Sequence, residues 1–159
     1  ILGYSLFMIF LLLDFDGVLH GDNSESSLFE HMHSFCNTLN PYLNNIKIVI
    51  SSSWRETHSF SDLVHFFPKH IQPNIVGITP ILPDNFEPGI REQEILTYCI
   101  THDISKEKWI AIDDMPQLFS QESQDQSLIG NGNILFTESS TGLTDFDLKM
   151  LSFMIQKIL

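Results

Sequence analysis

Apolar residues fall into two rhythms along this chain. Residues 8–13, Met-Ile-Phe-Leu-Leu-Leu, form a continuous apolar run without alternation, the pattern of a central parallel strand covered on both faces. The run ends abruptly in Asp14-Phe15-Asp16-Gly17. Shorter runs at 46–50, 74–79, 109–112 and 133–137 repeat the pattern and predict four more strands. Between them the spacing changes to that of helices. Leu28, Met32, Phe35, Cys36 and Leu39 share one face and stop before Pro41. Phe60, Leu63, Val64 and Phe67 follow a Ser59-x-x-Asp62 capping pattern and end at Pro68. A third helix opens at Arg91 with Ile95, Leu96, Cys99 and Ile100 as its inner face, and a last one follows Thr144-x-x-Asp147 with Leu148, Leu151, Met154, Ile155 and Ile158 inside. Three prolines and a glycine make 80–89 a loop, and the Gln-, Ser-, Asn- and Gly-rich stretch 117–132 reads as a surface excursion. Strands alternating with helices predict an α/β fold built on a doubly wound parallel sheet.

The first thirteen residues are apolar enough to suggest a signal or membrane segment. They lack a basic flank and a small-residue cleavage site, and spanning needs about 20 apolar residues, so no membrane role is expected. Residues 1–7 read as an upstream extension forming the start of the first strand, with Met8 as the natural start and 8–159 as one domain.

Composition narrows the partners. Apolar residues are 43% of the 159, thirteen of them Phe, which is a globular composition. Twenty acidic against eight basic residues leave a formal charge of −12, so an extended duplex nucleic-acid footprint is excluded and any such contact must be local. Cys36 and Cys99 both lie in apolar helical patterns, as small buried hydrophobes in a reducing cytoplasm.

The chemistry lies at strand ends. Asp14 and Asp16, then Ser51, then Asp113 and Asp114 each follow an apolar run, and parallel strands bring all their carboxyl ends to one edge, where open α/β sheets bind ligands. An aspartate at a strand end is ordinarily a turn residue; convergence makes these functional. Two unit charges about 4 Å apart repel by about 4 kcal/mol at an effective dielectric of 20, so four carboxylates imply a cation. Oxygen ligands alone suit Mg²⁺ or Ca²⁺, and the seven histidines show no zinc spacing.

Asp14-Phe15-Asp16-Gly17-Val18, Ile50-Ser51-Ser52-Ser53-Trp54-Arg55, a cation heading a helix at Arg91, and Ile112-Asp113-Asp114 together resemble the four motifs of the haloacid dehalogenase (HAD) superfamily of phosphohydrolases. More narrowly, Ser-Ser-Ser-Trp-Arg, Gly77-Ile78-Thr79-Pro80, Arg91 before Glu94-Ile95, and Thr141-Gly142-Leu143-Thr144 resemble the HAD domain of Swiss Army Knife RNA repair proteins. The resemblance implies a three-layer α/β/α sandwich with a Rossmann-like sheet in the order 5-4-1-2-3. It implies Asp14 as nucleophile and Mg²⁺ ligand, and Asp16 as acid–base and, through its carbonyl, a second ligand. Asp113 or Asp114 would complete the metal site, while Ser51, Ser52 and Arg91 would hold the phosphoryl group.

The segments between motifs leave no room for a cap domain, and in the resembling superfamily a capless cleft suits a phosphate on something large, such as an RNA end. The expected activity is therefore a Mg²⁺-dependent phosphomonoesterase. A phosphatase of small phosphometabolites with a partner-closed cleft, and a non-catalytic phosphate-binding module, remain alternatives. Lys69 is a second candidate for the cation. Trp54 and Arg55 read either as packing and a surface salt bridge or as stacking and phosphate contacts at the rim, and His20 as a surface or capping residue or a substrate contact in the loop over the site.

Overall fold

The computed structural model describes residues 7–83 and 89–159. Five strands, β1 (Ile9–Leu13), β2 (Ile46–Ile50), β3 (Ile75–Ile78), β4 (Trp109–Asp113) and β5 (Ile134–Phe136), form one sheet in the order β3-β2-β1-β4-β5, with every neighbouring pair parallel. This is the expected 5-4-1-2-3 order read from the other edge. The described residues also form helices α1 (Met32–Leu39), α2 (Phe60–His65), α3 (Ile90–Thr101), α4 (Gln121–Leu128) and α5 (Asp145–Ile158), with short 3₁₀ turns between elements.

The alternation of side chains in β1 explains its unbroken apolar run. Ile9, Leu11 and Leu13 pack into one core with Phe35 and Leu39 of α1, Leu63 of α2 and Leu151 and Ile155 of α5. Phe10 and Leu12 pack into another with Ile95 and Cys99 of α3 and with Trp109 and Phe119. A strand apolar on one face only could not separate two cores. Cys36 and Cys99 are free, buried in different cores, and burial pushes their thiols up to about 11 and about 12.

Several elements differ from the expectation. Residues 1–6 and 84–88, which include most of the proposed upstream extension and much of the proline-rich loop, lie outside the described residues; Phe7 sits in a turn and the strand begins at Ile9. The first helix starts at Met32 rather than Leu28, which is 64% exposed. Phe29 adopts φ 54, and the Phe29 and His31 amides bond to His20 Nδ1 and Leu19 O instead of entering a helix. Within 117–132, expected to be irregular, lies α4: Ser120 caps it, and Glu92 accepts from the Ser120 amide and the Ser123 hydroxyl. No residue of α4 is buried, so it has no apolar stripe to reveal it.

The roll of α3 is the largest correction. Its buried stripe is Arg91, Glu94, Ile95, Tyr98 and Cys99, whereas Leu96 and Ile100 are 41% and 77% exposed. The helix turns Arg91 and Glu94 inward because each finds an ion partner there. Gly77 of β3 makes room for it, since a Cβ there would lie 2.7 Å from Tyr98 Oη.

Candidate active site

The chain runs outward from β1 to β3 and then crosses back to lay β4 against β1, leaving a switch point between their carboxyl ends, where such sheets hold ligands. Register decides which residues meet. Leu13 pairs with Ile112 and with Ile50, so Asp14 follows beside Asp113 and Ser51. The Asp14 amide donates to Ile112 O at 3.1 Å and the Ser51 amide to Leu13 O at 2.9 Å. Thr79 stands next in line, its amide donating to Ile50 O at 3.0 Å.

Oxygen atoms of Asp14, Asp113 and Asp114 lie within 4.8 Å of one another. Burial first, and then the neighbouring Asp113, push the Asp14 carboxyl up to about 8. Burial likewise raises Asp113, to about 6, against the pull of Arg91. The Phe15 amide donates to Asp14 Oδ1 at 2.8 Å, and the Met115 amide to Asp113 Oδ1 at 2.9 Å. Asp113 Oδ2 is buried without a hydrogen-bond partner among the described residues. An oxygen-only donor set with a buried carboxylate oxygen that accepts no hydrogen bond, though it is ion-paired with Arg91, fits a hard divalent cation such as Mg²⁺.

Gly17 shapes the same corner. Its φ of 71 is unfavourable for other residues, and a Cβ there would sit 2.0 Å from Asp114 Oδ2. The loop beyond it is braced by Thr137, whose hydroxyl donates to Gly17 O at 2.6 Å, and by the Leu143 amide, which donates to Val18 O at 2.8 Å.

Arg91 is the cation of the cluster. It is 8% exposed, donates to Ser51 O, and places Nη1 3.3 Å from Asp113 Oδ2 and 3.7 Å from Asp14 Oδ1. Burial opposes its charge, but Asp113 and Asp14 outweigh that and hold it above the ordinary guanidinium value. Lys69 is exposed and shows no ion pair within the described residues. The Ser51 hydroxyl is buried and also lacks a hydrogen-bond partner among the described residues, a group free to meet a phosphoryl oxygen. The fully buried Ser52 accepts from the Trp54 amide and caps the 3₁₀ turn 53–56.

The Asp16 side chain stands apart from the three clustered carboxylates. It is 55% exposed, with His20 Nε2 at 2.8 Å from Oδ1 and Trp54 Nε1 donating to Oδ2 at 2.9 Å. His20 is thus tied to a site carboxylate rather than being a surface or capping residue. Arg55 is neither a surface salt bridge nor a rim contact. It is 7% exposed and donates to the carbonyls of Thr79, Ser51, Ser52 and Pro80 and to Glu94, clamping the ends of β2 and β3 together. Sequence reasoning missed this clamp, although Arg91, Glu94 and Tyr98 do recur at helical spacing.

Among the described residues no helix is long and apolar enough to cross a membrane. The family of HAD domains in Swiss Army Knife RNA repair proteins matches the chain over residues 10–148. No curated protein matches it.

Proposed function

The chain belongs to the family of HAD domains in Swiss Army Knife RNA repair proteins, and from that premise we propose that it is a Mg²⁺-dependent phosphomonoesterase working through an aspartyl-phosphate on phosphorylated RNA ends or another large phosphorylated substrate. The observation that carries the proposal is the convergence of Asp14, Asp113 and Arg91 beside an unpartnered Ser51 hydroxyl.

Asp14 is the nucleophile. The Phe15 amide holds its Oδ1, leaving Oδ2 to attack phosphorus as the bond to the leaving oxygen breaks. Asp16 gives its proton to that oxygen, then takes one from the water that attacks the aspartyl-phosphate, releasing inorganic phosphate and restoring Asp14. Ser51 and Arg91 hold the phosphoryl oxygens in place and offset charge that develops on them. Asp14, Asp113, Asp114 and the Asp16 carbonyl would hold Mg²⁺, which when bound neutralises the carboxylates and polarises the phosphoryl group.

A large substrate suits the chain because only a loop, α1 and the short 3₁₀ helix Asn40–Asn45 separate β1 from β2, so no cap covers the cleft there among the described residues. The −12 charge limits an RNA to contacts near its end. Two free, buried thiols suit a reducing cytoplasm, and residues 8–159 are taken as the catalytic unit.

Purified protein with Mg²⁺ should release phosphate from p-nitrophenyl phosphate and from end-phosphorylated oligoribonucleotides, and Asp14→Asn should abolish both. Wild-type protein no more active than Asp14→Asn on either would overturn the proposal.

A further inference from the structure

We propose that His20 and Trp54 are positioning residues for the acid–base Asp16, a clamp of two N–H donors that aims its carboxyl group at the leaving oxygen. This rests on the phosphomonoesterase reading above.

A carboxylate 55% exposed at the edge of an open cleft would ordinarily sample several rotamers. Here each oxygen has its own donor. The proton on His20 can be placed from its surroundings. The Phe29 amide lies 3.3 Å from Nδ1 and can only donate, so Nδ1 accepts, and the neutral ring carries its hydrogen on Nε2, facing Asp16 Oδ1. Trp54 Nε1–H has no acceptor role and donates to Oδ2.

Both donors are themselves held. His20 is 8% exposed and packs edge-on against Phe29 at 5.4 Å. Trp54 stacks on His58 at 5.2 Å, with Phe15, Phe29 and Phe66 around it at 5.4–5.7 Å. With its ring so enclosed, Trp54 is poorly placed to stack on a nucleobase, and its polar edge is the part turned to the site.

The clamp acts when the proton moves. As the phosphorus–oxygen bond breaks, its electron pair goes to the leaving oxygen, the Asp16 proton follows, and the carboxylate left behind accepts from His20 and Trp54. Water attack then returns a proton to a carboxylate kept in the same place. Misplacing a reacting group by an ångström costs up to about 10²-fold, and in the first step, transfer of the phosphoryl group to Asp14, the cost should appear only where the leaving group needs a proton.

The test compares Trp54→Phe, His20→Leu and His20→Gln with the wild type on an alkyl phosphate, whose alkoxide must be protonated, and on p-nitrophenyl phosphate, whose phenolate need not be. Trp54→Phe and His20→Leu should slow the first step, read as alcohol or nitrophenol release in a single turnover, by roughly 10- to 100-fold for the alkyl ester and by under about threefold for the nitrophenyl ester, with KM steady. His20→Gln, which keeps an acceptor and a donor, should recover much of the loss. Equal losses in that first step on both esters would overturn the clamp as a merely structural feature, and a rise in KM alone would overturn it in favour of substrate stacking. A wild type inert to both esters and to end-phosphorylated oligoribonucleotides would defeat the phosphatase reading instead. The clamp is then judged by the Trp54 indole N–H resonance, identified by its disappearance in Trp54→Phe. A shift in Asp16→Ala supports it, and an unmoved signal overturns it.

Discussion

Arg55 and Glu94 form a buried ion pair whose two halves should not be equally costly to remove. Arg55 donates to Thr79 O at 3.1 Å, to Ser51 O and Ser52 O at 2.9 Å and to Pro80 O at 3.2 Å, besides Glu94. In Glu94→Gln the guanidinium keeps those four carbonyls, so the loss is close to that of one charge-assisted hydrogen bond, about 2 kcal/mol. In Arg55→Met the Glu94 carboxylate stays buried with the Leu82 amide and the Arg91 charge but without its ion-pair partner, at a cost of about 3–5 kcal/mol, before counting the abandoned carbonyls. For a chain of this size the larger loss lowers the melting temperature by roughly 10 °C or more. Replacing both residues by Met removes the stranded charge and should be less damaging than Arg55→Met alone. Urea titrations of the three variants, compared at equal m-value, measure the order. The reasoning is refuted if Glu94→Gln costs as much as Arg55→Met, or if the double replacement recovers nothing.

Two further outcomes follow from the carboxylates. Asp14 and Asp113 titrate near 3.8 when unperturbed but at about 8 and about 6 in the folded protein. Between these values the folded chain holds protons the unfolded chain has lost, so without metal stability falls as pH rises from about 4 to about 8. Melting in EDTA should therefore occur at higher temperature near pH 5 than near pH 8, Asp14→Asn should flatten that slope, and a melting temperature that rises with pH would contradict the assignment. Gly17→Ala should lose about 1–2 kcal/mol to left-handed strain and, because its Cβ would meet Asp114 Oδ2 at 2.0 Å, also demand more Mg²⁺ for activity. Gly89→Ala is the control: φ is 99 but among the described residues the nearest atom, Ser120 N, is 3.9 Å from its Cβ, so stability should fall with no change in Mg²⁺ demand, as melting curves and Mg²⁺ titrations of activity would report.

What was legible beforehand, and what was not, divides along the range of the forces involved. Unbroken apolar runs identify buried parallel strands because burial on both faces is imposed on every residue of such a strand. Once the strands are parallel, their polar ends must share an edge, so Asp14, Ser51 and Asp113 were readable as a group without any contact being known. Hydrophobic spacing likewise located α1, α2 and α5, whose inward faces are apolar.

Spacing failed where polar groups outweighed apolar ones. Leu96 and Ile100 looked like the core of α3, yet Arg91 and Glu94 took the inward stripe, because a charge with a buried partner escapes the penalty that normally keeps it outside. Asp16 looked like part of a carboxylate cluster, but its side chain turned to His20 and Trp54. The chain's own pattern determined the sheet, its direction and the edge that carries the chemistry, since these follow from local polarity and the geometry of parallel strands. Only the tertiary structure decided how α3 rolls, which carboxylates gather and which cation lies among them, since a charge's cost depends on partners brought near by the fold.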